Sequence, residues 1–304
     1  MRKQFFTVLF FLTFFSLFFA PQTHAQTKAG VSINPPLQEI SLAAELPATQ
    51  TAVTITNTSS VAQSVRVQAL DFEQTDAQGN IRFANKPLSA TQFTLARFIS
   101  FPESEFLLPP AASKVVTATI TNSLELSPGT HYASLIFTFT PKESKEEAKV
   151  VPALSSLLIL KKNGGEFYRI SLTSVTGTPL TFGWESPKEV QLILENTGNT
   201  HVTPRGVVTA TGLRKKILYK GSINEASALV LPNNRRLITV SLFPVSESLP
   251  IDFVSVSVAG TLQGTSEKFF WRSSYIVVRP LAGVMLLILV VGSILWRWVH
   301  AHKK

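Results

Sequence analysis

From Val31 to Val278 apolar and polar residues alternate in short runs. Val53-Thr-Ile-Thr-Asn57, Val65-Arg-Val-Gln-Ala69 and Ala133-Ser-Leu-Ile-Phe-Thr-Phe139 each carry apolar side chains at period two. Residues two apart share a face of an extended strand, so each run turns one face to a core and leaves Thr, Arg or Gln in water. Turn-forming clusters separate the runs: Asn57-Thr-Ser-Ser60, Asp76-Ala-Gln-Gly-Asn80, Pro109-Pro110 and Ser127-Pro-Gly129. Nowhere in this region does an i, i+3, i+4, i+7 apolar stripe persist for three turns. The pattern predicts an all-β region of many short strands.

Both ends of the chain break the alternation. Between Arg279 and Arg297 lie 17 uncharged residues, Pro280 to Trp296. As a helix they cover about 26 Å, close to the hydrocarbon thickness of a bilayer. Trp296 and Trp298 stand where an interfacial aromatic belt belongs, and Arg279 and Arg297 bracket the run. The spacing predicts a transmembrane helix over 279–297 and a basic cytoplasmic tail over 298–304. At the other end, Met1-Arg-Lys-Gln precedes the apolar run Phe5–Ala20 and the segment Pro21–Ala25. That layout predicts a signal peptide over 1–25, cleaved after Ala25. A single-pass protein of the cell membrane follows, with residues 280–296 in the lipid bilayer. Its N-terminal region is extracytoplasmic and its C-terminus cytoplasmic.

The exported region repeats its own grammar. Val53-Thr-Ile-Thr-Asn-Thr58 corresponds to Leu192-Ile-Leu-Glu-Asn-Thr197, each a strand ending in Asn at a turn. Leu107-Leu-Pro-Pro110 and Leu229-Val-Leu-Pro232 each break before another strand. The first copy is longer, and the hairpin around Asp76–Asn80 is the natural place for the extra residues. Two divergent copies of one sandwich account for this, divided as 26–162 and 163–278 at the paired glycines Gly164 and Gly165. Pro141 to Lys149 is charged, but the run behind it, Val151–Leu160, is apolar on both faces. The charged run therefore reads as a hairpin loop inside the first copy. The expected fold is two tandem Ig-like β-sandwiches followed by one C-terminal helix.

Composition alters this picture little. The net charge of +9 and pI near 9.8 invite a nucleic-acid reading. The excess, however, is concentrated at Arg2, Lys3, Lys28, Arg279, Arg297, Lys303 and Lys304, where it serves targeting and topology. Nucleic acid is not implied. There is no cysteine, so the sandwiches rest on apolar burial.

Chemistry-bearing residues are sparse. His131 and His201 fall in different copies, and the exported aspartates are Asp71, Asp76 and Asp252. Asp71, Glu73, Asp76 and Asn80 lack the spacing of a calcium loop, and Asp76–Asn80 reads as a hairpin turn. No nucleophile elbow, zinc motif or phosphate-cradling loop is present, so no enzyme, metal or cofactor is expected. Arg205, Arg214, Lys215, Lys216, Lys220, Arg235 and Arg236 form the one basic concentration away from the termini. They stand as a candidate patch for anionic wall polymer or lipid headgroups, with solvated strand and loop charges as the alternative.

Two resemblances follow from these residues. Val31-Ser-Ile-Asn-Pro-Pro36, Val53–Asn57, the Asp76–Ile81 turn and Ser127-Pro-Gly-Thr-His-Tyr-Ala-Ser134 resemble bacterial cell-surface proteins of the WxL-associated type. That resemblance implies a peptidoglycan-binding-like Ig domain, a second Ig-like domain and a C-terminal anchor. The first copy is also similar to the amino-terminal domain of pilus-assembly chaperones. That family holds a subunit's carboxylate with a basic pair, and residues 31–50 contain no Arg or Lys for it. The expected function is a non-enzymatic, membrane-anchored surface protein for cell-wall attachment or contact with another surface protein. The alternative is an accessory chaperone or subunit that assembles a surface complex by β-strand addition.

Overall fold

The computed structural model describes residues 30–84, 92–142, 152–178, 182–183 and 188–301. The expected signal peptide, the core of the charged run after Lys142 and the last three residues lie outside these.

The alternating runs are strands, and they form two sandwiches. The first contains β1 (Val31–Asn34), β2 (Leu37–Leu42), β3 (Ala48–Asn57), β4 (Gln63–Leu70), β7 (Ile99–Ser100), β8 (Glu105–Leu108), β9 (Ser113–Thr121), β10 (Gly129–Pro141) and β11 (Ala153–Lys162). One sheet runs β1-β3-β9-β7 and the facing sheet β2-β11-β10-β4-β8. A short hairpin, β5 (Phe72–Gln74) with β6 (Ile81–Phe83), leaves the sandwich at its side. Between the sheets, Ile55, Phe137, Phe139, Leu158 and Leu160 are wholly buried. Each comes from an apolar position of an alternating run, and each buried side chain of this size is worth about 1.5–3 kcal/mol.

The second sandwich has the same plan. Its strands are β12 (Ile170–Thr176), β13 (Phe182–Gly183), β14 (Glu189–Asn196), β15 (Pro204–Thr211), β16 (Ile217–Ile223), β17 (Arg235–Ser241), β18 (Phe243–Pro244), β19 (Ile251–Leu262) and β20 (Lys268–Val278). The sheets are β12-β14-β17 and β13-β20-β19-β15-β16-β18. In both sandwiches the opening segment crosses from one sheet to the other. β1 pairs with β3 while β2 lies parallel to β11; likewise β12 pairs with β14 while β13 lies parallel to β20.

The repeated Asn explains why the two copies share their grammar. Asn57 and Asn196 are both 0% exposed at the end of a central strand. Asn57 donates through Nδ2 to Val61 O at 2.9 Å and Leu108 O at 3.1 Å, and its Oδ1 accepts the Ser59 N–H. Asn196 donates to Thr200 O at 2.8 Å and Val230 O at 2.9 Å, and its Oδ1 accepts the Gly198 N–H. One amide thus closes the turn after its own strand and satisfies the carbonyls of the break before another. Buried carbonyls without a partner are costly, so the residue is tied to the fold itself.

The two strands flanking the charged run, β10 and β11, pair antiparallel from Gly129↔Lys162 to Thr138↔Ala153. The chain ends in α1 (Pro280–Ala301), whose Pro280–Trp298 stretch is long and apolar enough to cross a membrane and has no burial within the protein. The helix continues past Arg297 and Trp298, beyond the expected end of the apolar run. No proline or glycine follows Trp296, so nothing in the sequence stops it there.

Candidate functional site

Sandwich faces meet at a cleft. Thr130 is the second residue of β10, and Asn199-Thr200-His201 lies in the turn after Asn196 in the other sandwich. The Thr130 N–H donates to Asn199 O at 2.8 Å, and the His201 N–H donates to Thr130 Oγ1 at 2.9 Å. An ionised carboxylate only accepts, so His201 Nε2, 3.3 Å from Glu39 Oε2, carries the ring hydrogen and donates to it. Nδ1 of the neutral ring then accepts from the Thr130 hydroxyl, 2.8 Å away. Burial holds the His201 pKa below its ordinary value, with the Glu39 carboxylate opposing the shift.

By residue type this is a hydroxyl–imidazole–carboxylate series. By geometry it is a clamp, because Thr130 is only 1% exposed and its hydroxyl is spent on the backbone of the partner loop. A nucleophile needs an open approach to a substrate carbonyl, and here there is none. The clamp lies beside a cleft of about 560 Å³ lined by Glu39, Lys161, Tyr168, His201, Arg205 and Leu229.

The rest of the junction is well supplied. Asn199 Nδ2 donates to Pro128 O at 3.2 Å and to Gly165 O at 2.9 Å, and its Oδ1 accepts the Phe167 N–H at 2.6 Å. Glu166 accepts from the Gly164 and Gly165 amides at 3.1 and 3.2 Å, and its own backbone amide, followed by these two, holds its pKa below the ordinary value. The paired glycines between the two copies are therefore held by hydrogen bonds. An apolar cluster of Phe72, Tyr132, Ile159 and Leu231 draws on both sandwiches. The β5–β6 hairpin, the extra piece of the first copy, adds further contacts. Ala77 O accepts the Leu237 N–H at 2.7 Å, and Gln74 Nε2 donates to Arg235 O at 2.6 Å. Its turn is closed by Asp76, whose Oδ1 accepts from Gly79 and Asn80 and whose Oδ2 accepts from the Asn80 amide.

The histidines and the basic residues end up in several different places. His131 is a buried strand residue of β10, 2% exposed, donating through Nε2 to Ser127 O at 2.7 Å. Arg205 lies in the cleft, bonded to Asn224 O and Ser227 Oγ. Arg235 pairs with Glu195 at 3.3 Å, and Arg236 packs against Gly79 of the first sandwich. Lys220 is on β16. Arg214, Lys215 and Lys216 form the β15–β16 hairpin tip, at the end of the sandwich where β20 meets α1. The seven do not make one surface. Arg279 marks the start of α1, and Trp296 and Trp298 are exposed along it.

A different feature stands out at the sheet edges. β2 covers β11 only over Leu157–Lys162, and β13 covers β20 only at Ile276–Val277. Among the described residues, Ala153–Ser155 of β11 and Lys268–Ser274 of β20 have no strand on their outer side. In β11 the Leu157 N–H points outward to Pro36 O, and by the antiparallel alternation Ser155 and Ala153 point outward too. In β20 the Arg279 N–H bonds inward to Pro250 O, so Lys268, Phe270 and Arg272 direct their backbone groups outward. Phe270 is 66% exposed on the same stretch. For strand addition the sequence offers two edges, residues 31–42, which form β1 and β2, and residues 151–160, which contain β11; β20 is not among them, because its position at an edge depends on sheet order rather than on its own residues.

No protein-family model matches the chain, and no curated protein matches it in sequence. Among solved structures it is similar to the class 5 fimbriae chaperone CfaA, with a TM-score of 0.40 and 10% identity over 80% of this chain and 98% of that one. A chaperone-tip adhesin complex of CFA/I fimbriae gives 0.41 and 11% over 74% and 94%. The E. coli chaperone DraB gives 0.38 and 11% over 79% and 96%. At such scores the function is left to the chain's own geometry.

Proposed function

We propose that the chain is a non-enzymatic, membrane-anchored protein of the bacterial surface that holds another surface protein by β-strand addition. The reading rests on one observation: among the described residues, no strand covers the outer edges of β11 and β20 over Ala153–Ser155 and Lys268–Ser274. An open edge presents a row of unpaired N–H and C=O groups, and an extended segment of a partner satisfies them strand to strand. Lys268 and Arg272 on the longer edge disfavour pairing between two copies of the chain, since like charges would meet. α1 holds the edges at the outer face of the membrane. The wall-attachment reading finds less support, because the basic residues it relied on are dispersed.

Proline removes the outward N–H without touching the ladder on the other side of the strand. Ser155→Pro in β11 and Arg272→Pro in β20, with Arg272→Gln as the charge control, should lower surface display of the partner while the protein itself reaches the membrane at normal levels. Unchanged display with both prolines in place would remove the basis for strand addition.

A further inference from the structure

The β15–β16 hairpin carries a feature that strand addition leaves unused. Gly212, Leu213, Arg214, Lys215 and Lys216 form its tip, closed by bonds from Lys215 N to Gly212 O at 2.9 Å and from Gly212 N to Lys216 O at 3.0 Å. Lys215 has φ of 59°, in the left-handed region where a three-residue hairpin ordinarily places glycine. A lysine is thus kept where glycine is the unstrained choice. Leu213 is 65% exposed, and Ile217, Val245 and Ile251 are exposed around it. Cations and apolar side chains therefore share one end of the sandwich.

That end is also where the helix begins. The buried Asp252 carboxylate accepts the Leu213 N–H at 2.8 Å and the Leu249 N–H at 3.0 Å. Gly212 permits this seat, since a Cβ there would stand 2.8 Å from Asp252 Oδ2. The same loop holds the first turn of α1: the Arg279 N–H donates to Pro250 O at 2.8 Å and its guanidinium to Ser248 Oγ at 3.1 Å. Hairpin tip, loop and helix start form one hydrogen-bonded unit with no linker between. Glu247 is an exposed acid in this loop, against Arg214, Lys215, Lys216 and Arg279.

We infer that the Leu213–Ile217 tip is a lipid-binding foot. Leu213 and Ile217 enter the interfacial layer, while Arg214, Lys215, Lys216 and Arg279 engage anionic phosphate headgroups. The foot fixes the tilt of the second sandwich and so the direction in which its open edge faces. This rests on the reading of α1 as a membrane anchor.

The chain has no cysteine, so single cysteines report cleanly. Full-length protein is reconstituted with a nitroxide at Leu213→Cys, Leu287→Cys in α1, or Leu124→Cys in the first sandwich. Vesicles are phosphatidylcholine alone or with phosphatidylglycerol, and accessibility to oxygen and to a water-soluble relaxant gives depth. Leu287 in hydrocarbon and Leu124 in water confirm the frame; a Leu287 label in water fails the anchor reading instead. The expected result is a Leu213 label at headgroup depth with phosphatidylglycerol, moving toward water in 1 M salt. Arg214→Gln, Lys215→Gly and Lys216→Gln should each reduce the headgroup-bound population about fivefold relative to the free one. Lys215→Gly relieves backbone strain, so its loss of binding cannot come from misfolding. A Leu213 label that stays in water in every lipid, with Leu287 still in hydrocarbon, overturns the foot alone. So does a label shielded only when soluble teichoic acid is added to neutral vesicles, which would assign the cations to wall polymer.

Discussion

The two sandwiches share one plan and differ at their ends. Each crosses its opening segment between sheets and each closes a central strand with a fully buried Asn, Asn57 or Asn196. The first adds the β5–β6 hairpin, which contacts its neighbour; the second has no such hairpin among its described residues and continues directly into α1. The interior therefore maintains the fold, while inserts, edges and tips distinguish what each copy contacts. Buried positions cannot vary without a cost of several kcal/mol, whereas a hairpin tip can change its chemistry freely.

The largest expected effect tests the shared part. Asn57→Ala and Asn196→Ala each strand buried carbonyls and should destabilise their own sandwich by about 3 kcal/mol, read as a shifted denaturant midpoint. A large loss in one and none in the other would break the equivalence. Next comes the junction. Leu231→Ala should cost about 2 kcal/mol and increase proteolysis near Gly164–Gly165. Thr130→Val removes the clamp hydroxyl and should cost about 1–2 kcal/mol.

Acid should weaken both copies. Burial holds the His131 and His201 values below the ordinary 6.5, so on acidification the unfolded chain takes up protons first. Stability is then full above about pH 6.5 and falls progressively below it, until the folded-state values are passed. Glu39→Gln, which removes the charge favouring imidazolium at His201, should extend that loss to lower pH. The smallest effect is expected at the exposed pair Arg66–Glu105, where either alanine substitution should change stability by less than about 1 kcal/mol.

Much of the fold was legible in the chain. Period-two alternation marked the strands, the 17-residue uncharged run marked α1, and the repeated Asn before Thr marked the internal duplication. The site was far less so. Thr130 and His201 are 71 positions apart, and nothing local to either announces the other. Seven basic residues close in sequence suggest a patch, but strand reversal sends Arg214–Lys216 to one end of the second sandwich and sets Arg236 of β17 against Gly79 of the first. An open edge is a property of sheet order, which alternation does not encode.

The most direct test of strand addition is photo-cross-linking in intact cells, with a photoreactive residue at Ser155, at Arg272, or at the exposed loop position Leu124. The account predicts one partner protein captured from Ser155 or Arg272, absent from Leu124 and lost when proline is placed two residues away on the same edge. Equal capture from all three positions, or none from either edge, would contradict it.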